Sequence, residues 1–244
     1  MKLLILGAGG NSGLRLVRMG LAAGHDVTAF VRNKTKFEEL LGDTQKGLTI
    51  ETGDVADAAA LHAAMAGQNA VVNAAGSVHE PDRFVSLVAT IVGAAEKALG
   101  PGGRFWLFGG AAALDIPGTN RMTVDLPLVP KFYQAHKTNF ERVSRTQLDW
   151  SMLCPGPMTE ADDRNPGEGL RVANNIWPTS PSAIAKYLPP IATTIAFVRR
   201  VPEMTITYED AAHVIVNNLA PKGVHSRSRV GVALPLGLRR HKKP

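Results

Sequence analysis

Tyr133 and Lys137, four apart in the chain, have the residue types and spacing to move a proton. On a helix they share one face. An ammonium beside a phenol stabilises the phenolate, lowers its pKa and lets the phenol act as a general acid toward a carbonyl. The third member of such a relay, a serine or threonine just past the preceding strand, is missing. That place reads Gly109-Gly110-Ala111-Ala112-Ala113, with no hydroxyl before Thr119. A tyrosine packed in the core or over a pocket is therefore the competing reading for Tyr133, and Lys137 reads better as a ribose ligand. Their neighbour His136 points elsewhere on the helix and reads as structural or pocket-lining.

A second group of residues could hold phosphate. Glycines recur at positions 7, 10 and 13 of Gly7-Ala8-Gly9-Gly10-Asn11-Ser12-Gly13. Ahead of them Lys2-Leu3-Leu4-Ile5-Leu6 reads as a buried strand, and behind them Leu14, Val17, Leu21 and Ala22 recur at helical spacing. A glycine turn between a strand and a helix presents the helix N-terminus to an anion. The spacing departs from the plain dinucleotide fingerprint, because Ser12 takes the place of its last glycine. Gly7, Gly10, Asn11, Ser12 and Gly13 are the candidate ligands; a purely structural tight turn is the alternative.

The end of the second strand decides which dinucleotide fits. An acid there would accept from the 2′-hydroxyl of NAD, whereas an arginine accommodates the 2′-phosphate of NADP. The chain reads Val31-Arg32-Asn33-Lys34, then Lys36, with no acid. NADP is predicted over NAD, against the alternative of a solvated basic turn. At the end of the third strand Asp54 could accept from the adenine amino group and Val55 pack on its ring, unless Asp54 only caps the next turn. Ala74, Ala75 and Gly76, after the fourth strand, are small enough to let backbone approach the ribose and pyrophosphate.

These residues need a scaffold, and the chain alternates strand-like and helix-like segments throughout. That pattern predicts an α/β fold with a parallel sheet covered on both faces. Strands are predicted around 25–31, 48–52, 70–74, 104–108 and 149–154, with helices between them, one capped by Asp57 and running through Ala66 and one from about Lys131 to Thr146. One or two short helices are predicted around Ala183 to Arg200, and a further helix from 208 to 219. A last segment, 229–233, could add an edge strand. Residues 156–205 hold seven prolines and are the least regular. They read as a substrate-side insertion or lid within a single domain of residues 1–244, and 236–244 as a basic tail.

Composition narrows the classes. The net charge is +6, but Arg239, Arg240, Lys242 and Lys243 in the last six residues supply four of those charges. A basic end of this kind is usually solvated, so nucleic-acid binding is not expected. The one cysteine, Cys154, excludes an internal disulfide and reads as a buried inert thiol. The histidines show no metal spacing. The longest apolar stretch, 184–198, is broken by Lys186, Pro189 and Pro190 and is too short to span a bilayer. A soluble cytoplasmic protein is expected, monomeric or homodimeric, with a small-molecule substrate and no membrane partner.

The chain resembles the atypical short-chain dehydrogenase/reductase group of NmrA-like and NAD(P)H-binding proteins, with flavin reductase/biliverdin reductase B types as the nearest functional relatives. The resemblance spans nearly the whole chain. It rests on Leu6 to Gly13, Val31-Arg32-Asn33, Gly53-Asp54-Val55, Ala135-His136-Lys137, Leu148 to Pro157 and Ile206 to Ala212. It implies a Rossmann-like doubly wound sheet of order 3-2-1-4-5-6, NADP along its C-terminal edge, and the backbone from Pro155 to Met158 beside the nicotinamide. Cys154 stands where the family commonly has arginine, and Gly109-Gly110 replaces its usual serines. The implied function is NADPH-dependent reduction of a small aromatic or carbonyl acceptor, such as a flavin or quinone. Alternatives are a non-enzymatic NADP(H)-binding redox sensor and a sugar epimerase or dehydratase that would rely on Tyr133.

Overall fold

A computed structural model describes residues 1–42, 46–119, 121–179 and 189–241. Its centre is an eight-stranded sheet of order β3-β2-β1-β4-β5-β6-β10-β8. The strands are β1 (Lys2–Leu6), β2 (Asp26–Val31), β3 (Leu48–Thr52), β4 (Ala70–Asn73), β5 (Arg104–Phe108), β6 (Asp149–Cys154), β8 (Arg171–Asn174) and β10 (Ser228–Ala233). The first six run parallel in the order 3-2-1-4-5-6, as expected. A separate two-stranded ribbon pairs β7 (Met158–Thr159) with β9 (Ile206–Thr207).

The apolar runs become strands because both faces of the sheet are covered. One face carries α1 (Asn11–Ala22), α2 (Lys34–Leu41) and α7 (Tyr208–Val216), whose Val17, Phe37 and Ile215 share a core with Leu3, Ile5 and Val72. The other carries α3 (Ala58–Met65), α4 (Pro81–Leu99) and α5 (Gln134–Ser144), with Leu61, Ile91 and Val143 packed on Leu4, Val71 and Phe105. Local chemistry fixes the ends. Asp57 accepts from the N–H groups of Ala59 and Ala60 at the start of α3. Thr207 and Asp210 form a reciprocal capping box on α7.

Three sequence expectations change. The 229–233 strand is not an edge: β10 lies parallel to β6 and is covered by antiparallel β8. Arg171-Val172-Ala173-Asn174 is short and polar enough to pass for loop, which is why the true edge was not legible. The helix expected from about Lys131 begins as a 3-10 turn over Lys131–Tyr133, and α5 proper starts at Gln134. The 208–219 helix stops at Val216. Within the 156–205 stretch, α6 covers Pro190–Met204; its expected beginning near Ala183 lies outside the described residues.

A buried charge cluster ties the sheet together at the end opposite the glycine turn. Arg104 (1% exposed) donates to the Asp149 carboxylate and to the Asn218 carbonyl, and lies over the Trp106 ring. Asp149 also accepts from the Lys222 N–H and the Ser226 hydroxyl. Among the described residues no helix is long and apolar enough to cross a membrane.

Candidate cofactor site

The glycine turn has one way to close. Gly7 has φ +72, a left-handed conformation, and a Cβ on it would lie 2.8 Å from the Ala75 nitrogen. Gly13, in the first turn of α1, rests on the Gly7 carbonyl, and a Cβ there would stand 2.7 Å from the Ala8 Cα. Gly10 caps α1 with no side-chain hydrogen bond, so the N–H groups of Asn11, Ser12 and Gly13 have no capping side chain and no partner within the helix, although these three residues do not themselves line the cleft described next. A cradle that a Cβ would fill, at an open helix start, fits a phosphate.

From this turn a cleft of about 740 Å³ runs across the C-terminal ends of β1 to β4. Of the residues singled out from sequence, Gly7, Gly10, Arg32, Asp54, Val55, Ala74, Ala75 and Gly76 line it together. Arg32 and Lys36 stand at its rim, and neither forms an ion pair among the described residues. Asn33 caps α2 by accepting from the Lys36 N–H at 2.9 Å, which fixes the helix start between the two cations. Asp54 does cap its turn, through Oδ1 and the Ala56 N–H at 2.9 Å, while also lining the cleft. Asn73 Oδ1 accepts from the Ala75 N–H at 3.0 Å and holds the turn past β4 against Gly7.

One wall escaped the sequence reading. Glu80, Arg83, Phe84, Leu87 and Thr90 of the α4 region close the cleft on its outer side, and Phe30 and Phe37 floor it. Phe30 packs against Gly53, where a side chain would collide with its ring. The signal was present in the exposed polar positions on the amphipathic α4 pattern, which by themselves look like a solvated face.

The other candidates gather elsewhere, past β5. Tyr133 ends the 3-10 turn, its ring 4.3 Å from Phe132 and 6.0 Å from His136 between centroids. Lys137 Nζ lies 2.7 Å from Asp125 Oδ1, both partly exposed. Gln134, on the same first turn of α5, donates to the Val124 carbonyl. Together they fasten the irregular segment after Gly110 to α5. Pro155 is buried, and its carbonyl accepts from the Ala111 N–H at 2.7 Å. Lys137, Tyr133 and Pro155 do not line the cleft that holds the glycine turn.

Burial sets the electrostatics between these groups. His136 is 5% exposed, and burial pushes its pKa down to about 4, so it is neutral at pH 7. Burial pushes the Cys154 thiol up to about 12, with Arg229 acting weakly in the other direction. Gly109 is held bare by Met152 and Cys154, since a Cβ would sit 3.0 Å from Met152 Cγ and 3.1 Å from Cys154 Sγ. Among the described residues no cluster of three or more His, Cys, Asp or Glu side chains is placed to hold a metal ion.

Comparison with known proteins agrees with this geometry. A family model described as NAD(P)H-binding matches residues 7–185. No curated protein matches the chain. A Burkholderia pseudomallei structure, named as a candidate exported protein, is 23% identical over 96% of this chain and 99% of its own, with TM-score 0.71. A candidate NADH-flavin reductase from Streptococcus pneumoniae is 24% identical over 96% and 99%, with TM-score 0.69. A candidate epimerase from Bacteroides thetaiotaomicron is 21% identical over 99% of each chain, with TM-score 0.71. At such identities the likeness is one of fold. The family match covers the glycine turn and every residue that lines the cleft, and the chain belongs to the NAD(P)H-binding family.

Proposed function

We propose that the protein is an NADPH-dependent oxidoreductase that reduces a small aromatic or carbonyl acceptor of the flavin or quinone kind. The observation that carries this is the single cleft joining Gly7 and Gly10 to Asp54 at one side and to Arg32 and Lys36 at its rim. In this reading the N–H groups of Asn11, Ser12 and Gly13 bind the pyrophosphate, Val55 packs on adenine and Asp54 accepts from its amino group. Arg32 and Lys36, two cations without an ion-pair partner among the described residues, bind the 2′-phosphate. Ala74, Ala75 and Gly76 lead the dinucleotide toward Pro155, where the nicotinamide half would lie.

When bound, the reduced nicotinamide supplies a hydride, which the acceptor takes up together with a proton. The chain's own contribution is alignment: the two reactants are held over the ends of β4 and β5. In this reading Tyr133 would face that space, and the Lys137–Asp125 ion pair would hold the segment beside it. The test is NADPH oxidation with a panel of flavins, quinones and aldehydes, alongside NADPH binding followed by fluorescence. Acceptor-dependent oxidation supports the reading; tight NADPH binding with no oxidation by any acceptor ends it.

One observation favours a second reading. The Lys137 ammonium is engaged by Asp125 and no hydroxyl occupies residues 109–113, so the protein would instead bind NADP(H) and report its redox state without turnover. Such a sensor must bind oxidised and reduced cofactor with different affinities while consuming neither.

A further inference from the structure

We propose that the outer face of α6 docks the protein onto a membrane surface rich in anionic lipid headgroups. The proposal concerns where the protein works and stands independently of the oxidoreductase reading. It starts from an inversion in α6. Thr193 and Thr194 are 3% and 4% exposed, whereas Ile191, Ile195 and Val198 are 57%, 48% and 59% exposed. The threonines fit inside because their hydroxyls have acceptors: Thr193 donates to the Pro189 carbonyl, and Thr194 to the carbonyls of Pro190 and Pro127. Phe197, its ring centroid 4.9 Å from that of Trp177, and buried Met204 complete the inner face. The three exposed residues recur at i, i+4 and i+7, so they form one apolar stripe on the side away from the core.

Apolar exposure continues beyond the helix. The bond from Thr194 to Pro127 fastens the segment that carries Leu128 to α6, and Leu128 is 80% exposed. Its φ is +67, a left-handed conformation that is strained for leucine, so the backbone holds a large apolar side chain out in water. At the other end Arg239 donates to the Arg199 carbonyl, and the Arg240 N–H to the Pro202 carbonyl. These bonds tie the tail, with its exposed Leu236 and Leu238, to the last turns of α6. Aliphatic side chains gathered in this way mark a surface that meets something apolar.

Charge decides what that is. The chain has no Asp or Glu from Gly169 to Pro202 and none after Asp210, and these stretches hold nearly all of α6 and the whole tail. Glu203, the one acid of α6, is buried and bonded to Arg171 and Arg200. Arg199 and Arg239 are exposed and form no ion pair among the described residues. An apolar stripe bordered by unpaired cations matches a bilayer interface, where acyl chains lie just beneath anionic headgroups. A second copy of the chain matches it poorly, because joining two such faces would bring like charges together. Attachment of this kind needs no spanning helix, and the expectation of no membrane partner rests on the lack of one.

The probes are vesicles of phosphatidylglycerol and phosphatidylcholine in equal parts and vesicles of phosphatidylcholine alone, with binding read by co-sedimentation. The full chain is expected to sediment with the mixed vesicles, about tenfold more weakly with phosphatidylcholine alone, and less as salt rises. Ile191→Ser, Ile195→Ser and Val198→Ser together are expected to weaken binding by about tenfold or more. Circular dichroism and the urea midpoint should stay unchanged, because these side chains already face water. Arg199→Gln with Arg239→Gln is expected to weaken binding to the mixed vesicles by about fivefold or more. Ile195→Trp adds an exposed reporter to three buried tryptophans, and its emission is expected to shift to the blue on mixed vesicles. Wild type left in the supernatant with mixed vesicles, or a triple variant that binds as well as wild type, overturns the proposal. Unmoved emission from Ile195→Trp overturns it too, and that readout does not depend on the triple variant folding. A wild-type dimer that the triple variant abolishes would assign the face to a second copy and overturn it as well.

Discussion

Gly13 sits so close beneath the carbonyl of Gly7 that a single methyl group between them has nowhere to go. The same Cβ would stand 2.7 Å from Ala8 Cα, and all of these neighbours are backbone. Gly13→Ala therefore must push the turn open or move the start of α1. We expect NADPH affinity to fall at least a hundredfold by fluorescence titration. Gly93, in the middle of α4, has nothing within 4 Å of its Cβ position. Gly93→Ala should leave affinity unchanged and raise stability by about 0.5–1 kcal/mol. Equal binding in Gly13→Ala and wild type would remove the turn from the site.

The rim cations define a second experiment. Replacing Arg32 and Lys36 together by alanine removes two charges that would face a 2′-phosphate and leaves the rest of the cleft intact. NADPH binding should weaken by at least tenfold, whereas NADH binding should stay within about twofold. Parallel losses for both cofactors would place these residues outside the 2′-phosphate contact.

Arg104 and Asp149 test the sheet rather than the site. Desolvation by burial lowers the Arg104 pKa, and the Asp149 carboxylate works against that shift. Asp149→Ala leaves a buried guanidinium facing only carbonyls and strips the Lys222 and Ser226 groups of their acceptor. The loss expected in urea unfolding is about 3–5 kcal/mol. A loss below about 1 kcal/mol would mean that water compensates the charge.

His136 makes stability depend on pH in a defined window. Its folded pKa is about 4 against 6.5 for the free side chain, so the unfolded chain binds a proton that the folded protein refuses. The stability is fully present above pH 6.5 and is lost as pH falls from there toward 4. Between pH 7 and pH 5 this one group should cost about 2 kcal/mol, by the linkage of pKa shift to free energy. His136→Phe should lack that share of the slope; identical slopes in the two proteins would show that the imidazole finds a way to ionise while folded.

Cys154 is expected to be inert. With its thiol raised to about 12 and fully buried at the end of β6, almost no thiolate exists at pH 8. A disulfide reagent should label it only in step with unfolding, and labelling within minutes of mixing with native protein would contradict the packing around Gly109.

What the sequence settled by itself was the part governed by local rules. Alternating apolar runs and helical stripes specify a sheet with both faces covered, because each strand's neighbours in the chain can be read from its own pattern. The glycines at 7, 10 and 13 announce a turn, and Asp57 announces a helix start, because those devices act within four residues. The adjacency of Gly7, Arg32, Asp54 and Ala75 followed once the strands were parallel, since each residue sits at the same end of its strand.

Tertiary structure alone decided the contacts that span distant segments. Nothing local says that α4 will wall the cleft, that Arg171–Asn174 will cover β10, or that Lys137 will meet Asp125. Nor does spacing reveal that the bareness of Gly110 and the burial of His136, far apart in the chain, are one feature. A glycine in sequence is an absence; only packing shows which side chain fills the space it leaves.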